Sequence, residues 1–177
     1  KPPMTPDGVV SLKGFKMRSV PIYDAFQKSL GATTMTVQVP EIYNALERGL
    51  VDGFAFPNLF TRKFGWNKYV KYTVFPSFYQ LEPCVFINNK ALNKLSSKGR
   101  AIMLKAGADW ERSSYNNWAP KVAKERVIYK KGGTKEIILK GAAAKKYLGF
   151  ANKTPIERLK KVKSAEAKIL SKLYHGQ

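Results

Sequence analysis

The chain has 177 residues, 44% of them hydrophobic, and carries 32 Lys and Arg against 12 Asp and Glu, a formal net charge of +20. That length buries a real core, as one large domain or two small lobes, and the charge requires nucleic acid to be weighed as a partner. A single Cys (Cys84) excludes an internal disulfide, a single His (His175) without a cluster at ligand spacing argues against a metal site, and no apolar run approaches the roughly 20 residues of a membrane span.

Alternation in GFKMRSV places Phe15, Met17 and Ser19 on one face of a strand and Lys16, Arg18 and Val20 on the other, with Pro21 closing it. Helical spacing follows at Ile22, Phe26 and Leu30, and Gly31 stands where a left-handed C-terminal cap is needed. The scheme repeats: Met35, Val37 and Val39 alternate, Pro40 opens a helix containing Ile42, Ala45, Leu46 and Leu50, and Asp52-Gly53 marks a turn. The run FAF then completes a βαβαβ series, which right-handed crossovers fold into a mainly parallel sheet covered by helices. The expected class is α/β.

Residues 71–88 are rich in Tyr, Phe, Val and Thr and interrupted by Pro76 and Pro83, which predicts strands that leave one sheet for another, with a lobe crossover near Pro83 and Cys84 buried in a strand. Ser96 or Ser97 caps a long helix through Ile102, Leu104, Ala108 and Trp110, a spine that Pro120 kinks or divides. After Gly132-Gly133, KEIILK reads as a short strand, and Thr154-Pro155-Ile156-Glu157 as a capping box opening a final helix that runs to about Tyr174. The expected division is a ligand-binding lobe at 1–82, crossover strands and a long helix at 83–134, and a strand and helix packing back at 135–177.

For catalysis the single His removes the commonest base; Glu41 and Asp52 sit at a helix start and a turn, where acids serve as dipole partners and turn formers. No enzyme and no cofactor are expected. Arg18 lies near the C-terminal end of its strand, where open α/β sheets bind ligands and a guanidinium clamps a carboxylate, the alternative being an ordinary ion pair. Phe54, Phe56 and Phe60 read equally as core. The charge is lopsided: residues 1–90 hold 11 basic and 6 acidic groups, and residues 91–177 hold 21 and 6. Lysines interleaved with Leu, Ile, Val and Ala, as in RLKKVKSAEAKILSKLY, describe solvated helix faces. No base-reading motif is present, so a basic module making nonspecific phosphate contacts is the alternative function.

SLKGFKMR at Ser11–Arg18 resembles the motif D-L-K-G-x-K-x-R that opens the second lobe of solute-binding proteins of tripartite ATP-independent periplasmic (TRAP) transporters. LGA at 30–32 and PEIYNALERGLVDG at 40–53 continue the resemblance in order and near its spacing; KFGWNKYVKY at 63–72 and CVFINNKALNKLS at 84–96 extend it loosely. The resemblance implies a periplasmic binding protein-like lobe whose first lobe is missing or truncated, with crossover strands and a long helix reaching toward it. It implies an exported, periplasmic chain that captures a small organic acid and presents it to membrane permease subunits. Because the chain opens on Lys1-Pro2-Pro3, the expectation is a removed leader or a truncated start. The match assigns the solute carboxylate to Arg18 and a ligand-binding set of Arg18, Phe56, Asn58, Val39 and Glu41. Most members have Asn before the Pro that follows the D-G turn; here Phe56 precedes Pro57 and Asn58 follows it, which favours an apolar or aromatic acid. A position often aromatic in the family falls on Val39. A missing lobe leaves strands near Cys84–Asn88 with unpaired edges and apolar surface, hence an expectation of self-association.

Overall fold

The alternation at 15–20 becomes strand β1 (Lys16–Ser19), the centre of a parallel sheet ordered β2-β1-β3 with β2 (Thr33–Thr36) and β3 (Gly53–Phe54). The computed structural model describes residues 1–79 and 84–173. Helix α1 (Pro21–Ser29) joins β1 to β2 and α2 (Ile42–Glu47) joins β2 to β3. The chain steps outward from β1 and then back across it, so right-handed crossovers place the two helices on opposite faces. The buried residues divide accordingly. Phe26 and Leu30 of α1 join Val9, Val10 and Leu12 in one cluster; Ile42, Ala45 and Leu46 of α2 join Val37, Val51 and Trp66 in the other.

Pro21 does more than end β1: it is the first residue of α1, where its missing N–H is not needed. Gly31 follows α1 with φ 93°, and a Cβ there would stand 3.2 Å from the backbone nitrogen of Lys13. That close approach lets the Leu12 N–H reach the Leu30 carbonyl at 2.7 Å. Asp52 fixes the start of β1 from the other side, its carboxylate accepting from the Lys16 N–H at 2.7 Å.

A second, two-stranded parallel sheet pairs β4 (Tyr72–Phe75) with β5 (Lys135–Ile138) and packs on the α1 cluster through Ile137 and Leu139. Between them run the short α3 (Asn89–Asn93) and the 35-residue α4 (Ser97–Lys131), capped by Ser96, whose hydroxyl accepts from Gly99 N–H at 3.1 Å. Pro120 lies within α4 without dividing it. Glu136 of β5 ties α4 to this sheet: it takes Nε and Nη2 of Arg126 at 2.5 and 3.0 Å and Lys130 at 3.1 Å, while the Arg126 guanidinium lies 4.3 Å from the Phe75 ring.

Three expectations are corrected. Within 71–88 the described residues form only β4; Cys84 is exposed and outside any strand, and residues 84–88 have no regular structure. Val85 and Phe86 are exposed apolar residues. The capping box does not form. Helix α5 (Gly141–Lys160) runs through it, and α6 (Ala165–Leu173) follows a break at 161–164. Pro155 cannot donate to the Ala151 carbonyl one turn earlier, and the Thr154 hydroxyl donates to it instead at 3.3 Å, itself bonded to the Tyr79 hydroxyl at 3.0 Å. Tertiary packing of α5 on α1, with Tyr147 and Ala151 buried, holds the helix across the proline. Ile22 and Leu50, read as apolar helix-face positions, are half exposed. The crossover expected near Pro83, and Tyr174 and His175, lie outside the described residues.

Two measurements check these contacts. Thr154→Val leaves the Ala151 carbonyl and the Tyr79 hydroxyl without their partner, so urea unfolding should register a loss of about 1–3 kcal/mol. The ion pairs hold Glu136 from its ordinary 4.5 down to about 2, principally through Arg126. A depressed carboxylate contributes stability that is complete above its unfolded value and is lost as pH falls toward the folded one. Between pH 5 and 2 the unfolding midpoint should therefore fall, and it should fall less in Glu136→Gln.

Candidate functional site

Arg18 is the third residue of β1, flanked at the carboxyl edge of the sheet by the segments leaving β2 and β3. Its Nε donates to the Val37 carbonyl at 2.9 Å and its Nη1 reaches the Ala55 carbonyl at 3.5 Å, so the guanidinium bridges the two outer strands across the central one. The residue is 4% exposed. Among the described residues no carboxylate pairs with it, and neither Nη2 nor the second N–H of Nη1 has an acceptor. Burial pushes its pKa below the usual arginine value, opposed by the neighbouring Tyr23 phenol. A guanidinium does not lose its proton in a protein, so a largely buried positive charge keeps donors that no protein group among the described residues takes and that remain open to a ligand. The geometry suits a planar anion taken bidentately.

Phe56 lies beside it, its ring centroid 6.0 Å from the guanidinium carbon, and also packs edge-to-face on Trp66 at 4.9 Å. The core reading and the ligand reading of Phe56 are therefore compatible. Val39 sits in a 3-10 turn (Val39–Glu41) and packs against the same Trp66 cluster as Phe56. Phe54 also packs on Trp66, at 5.3 Å, whereas Phe60 is 41% exposed. The structure does not gather all the predicted positions. Asn58 turns its amide to the Ser77 hydroxyl at 3.0 Å, and Glu41 is exposed at the start of α2 with no recorded contact to Arg18.

Sequence reasoning missed Tyr23, Gln27 and Tyr79. Gln27 is buried and donates to the Arg18 carbonyl at 3.2 Å, fixing the strand that carries the guanidinium. Tyr23 meets Phe78 edge-to-face at 5.6 Å and lies tilted against Tyr79 at 5.8 Å; burial raises its pKa and the Arg18 charge lowers it. The available signal was position: Tyr23 lies in the first turn of the helix that directly follows the Arg18 strand. Two open concavities lie apart from Arg18, one of about 460 Å³ against α4 and one of about 330 Å³ beside the N-terminal segment.

The geometry thus leaves a guanidinium open at the carboxyl edge of a parallel α/β lobe. Residues 7–146 match the family model of bacterial extracellular solute-binding protein, family 7, and the chain belongs to that family, whose members bind solutes rather than transform them. It is 31% identical over 139 residues to the C4-dicarboxylate-binding periplasmic protein DctP of Rhodobacter capsulatus, covering 76% of this chain and 40% of that protein.

Solved TRAP solute-binding proteins share the fold. One from Rhodoferax ferrireducens with bound malonate is 20% identical with a TM-score of 0.75, over 99% of this chain and 56% of that one. The Bordetella pertussis receptor DctP7, binding pyroglutamic acid, is 22% identical with a TM-score of 0.73, over 98% and 58%. A marine metagenome protein specific for aromatic acids, with 3-hydroxybenzoate, is 20% identical with a TM-score of 0.71, over 94% and 56%. The chain spans about half the length of these structures and less of the curated relative.

Because the charge of Arg18 is desolvated without a counter-ion, its removal should relieve more than its two carbonyl bonds return. In the absence of any carboxylate, Arg18→Met should therefore unfold at an equal or higher urea concentration than the parent.

Proposed function

We propose that this chain is the second-lobe part of a periplasmic TRAP solute-binding protein that captures a small organic acid and offers it to membrane permease subunits. The observation that carries the reading is the buried Arg18 fork with its unfilled Nη pair. A carboxylate bound there neutralises the charge and takes the two remaining donors, so anion binding removes a standing cost and makes a charge-assisted pair. Phe56 forms the adjoining wall and offers ring surface where an amide would offer a hydrogen bond, which favours an apolar or aromatic acid. Val39, in the cluster beside Phe56, continues that wall, with Asn58 and Glu41 as its more distant members.

The relatives support the solute class, since the proteins of this fold named above hold malonate, pyroglutamic acid and 3-hydroxybenzoate. Residues 1–82 act as the binding lobe and 83–134 as crossover and spine. Residues 135–177 pack back, supported by the pairing of β5 on β4 and of α5 on α1. Closure of a facing lobe over Arg18 would bury the solute.

Thermal shift against a panel of mono- and dicarboxylates, including aromatic and 2-oxo acids, tests this. Binding stabilises the native state by about 2.7 kcal/mol at a hundredfold excess over Kd. We expect one acid class to raise Tm, the effect to vanish in Arg18→Ala, and Phe56→Asn to weaken aromatic acids relative to polyhydroxylated ones. Stabilisation that survives in Arg18→Ala would remove the clamp from the reading, and a flat panel alongside salt-sensitive stabilisation by DNA would replace it with nonspecific phosphate binding.

A further inference from the structure

The groove of about 460 Å³ against α4 lies apart from Arg18 and has its own chemistry. One wall is the 59–63 segment and the other the middle of α4. Phe60 and Trp118 meet edge-to-face at its floor with ring centroids 6.0 Å apart. Phe60 adopts φ 71°, a left-handed backbone that bulky residues rarely occupy, and that conformation presents its ring in the groove rather than in the core. The two walls are tied by Arg62, whose Nε and Nη2 donate to Glu125 at 3.4 and 3.3 Å.

The rim is cationic. Lys121 stands 4.7 Å from the Trp118 ring centroid, and with Lys63 and Lys124 it has no carboxylate partner among the described residues. The one acid in the groove, Glu125, is already neutralised by Arg62.

We propose that this groove docks an acidic segment of a partner protein that packs an apolar side chain against the corner formed by Phe60 and Trp118. Charge complementarity selects the sign of the occupant, and a Trp-centred, half-desolvated corner is the kind of place where a few side chains dominate binding. The groove is open to solvent, so a small molecule would leave much of its surface wet, whereas a polypeptide segment can cover it. A second copy of this chain is disfavoured because it brings another +20. Nucleic acid fits less well, since Phe60 and Lys121 already crowd Trp118, and a corner remains where base stacking needs a platform. The proposal is independent of which solute Arg18 takes.

The test is fluorescence anisotropy with a short labelled peptide of Glu residues carrying Leu and Phe anchors, titrated with the whole chain at low and high salt. We expect binding that weakens at least about tenfold in the double variant Lys121→Glu/Lys124→Glu and in Trp118→Ala, while Lys98→Glu/Lys145→Glu, of equal net charge, changes it less than about twofold. The four lysines are exposed, so the charge variants should keep the parent circular dichroism and melting curve even if Trp118→Ala does not. Absence of binding, or equal losses in the two lysine pairs, overturns the proposal. So does equal affinity for an all-Glu peptide without anchors, or tighter, groove-dependent binding of oligo(dT).

Discussion

One buried guanidinium organises this lobe. Arg18 reaches across the central strand to the carbonyls of Val37 and Ala55, so the outer strands are held at their carboxyl ends by a side chain as well as by the ladder. Strand order β2-β1-β3 makes this feasible, because only a central strand has both neighbours within reach. That order in turn sends α1 and α2 to opposite faces and creates two separate clusters, one sealed by Phe26 and Tyr147, the other by Trp66 and Ile42. The same reach that spans the edge leaves the charge without a counter-ion among the described residues. Under the proposed function, that charge is what a bound carboxylate would neutralise.

The long helix has the opposite character. None of its residues is buried, and Ile102, Leu104, Trp110 and Tyr115 are exposed, as are Val85 and Phe86 ahead of it. Its anchorage is concentrated at one end, where Arg126 and Lys130 converge on Glu136 and Arg62 meets Glu125. The chain covers only 56% of the Rhodoferax ferrireducens structure that it otherwise matches almost end to end.

The acids, few as they are, serve as structural ties. Asp7 pairs with Lys146 to hold the N-terminal segment on α5, Asp24 joins Lys28 and Thr34, and Asp109 receives Lys105 and Arg112. Most lysines have no such partner and stand in solvent, which is how the sequence pattern reads them. The basic excess is therefore a property of the surface, and at the groove beside α4 it becomes a local one.

Local pattern alone determined much of this protein. Period-two alternation, helical spacing, the Pro21 and Gly31 punctuation and the right-handed crossover rule gave the βαβαβ lobe, and the edge position of Arg18 marked the candidate clamp. The KEIILK strand and the Ser96 cap were equally readable, because each depends on neighbours a few residues away. What failed depended on distant contacts. Thr154-Pro155 has the signature of a helix start, yet Tyr79, Ala151 and the packing of α5 on α1 make it a helix interior. Cys84 has the neighbours of a buried strand but pairs into no sheet here. Asn58, read from the sequence as a ligand contact, donates its amide to Ser77 of another segment, a pairing that local pattern does not reveal. Tyr23 and Gln27 joined the site only once α1 was docked on the sheet. Sequence sets what each segment can form through short-range sterics and burial pattern; which polar group meets which is decided by tertiary packing, since hydrogen bonds between residues 9 to 75 positions apart leave no periodic trace in the chain.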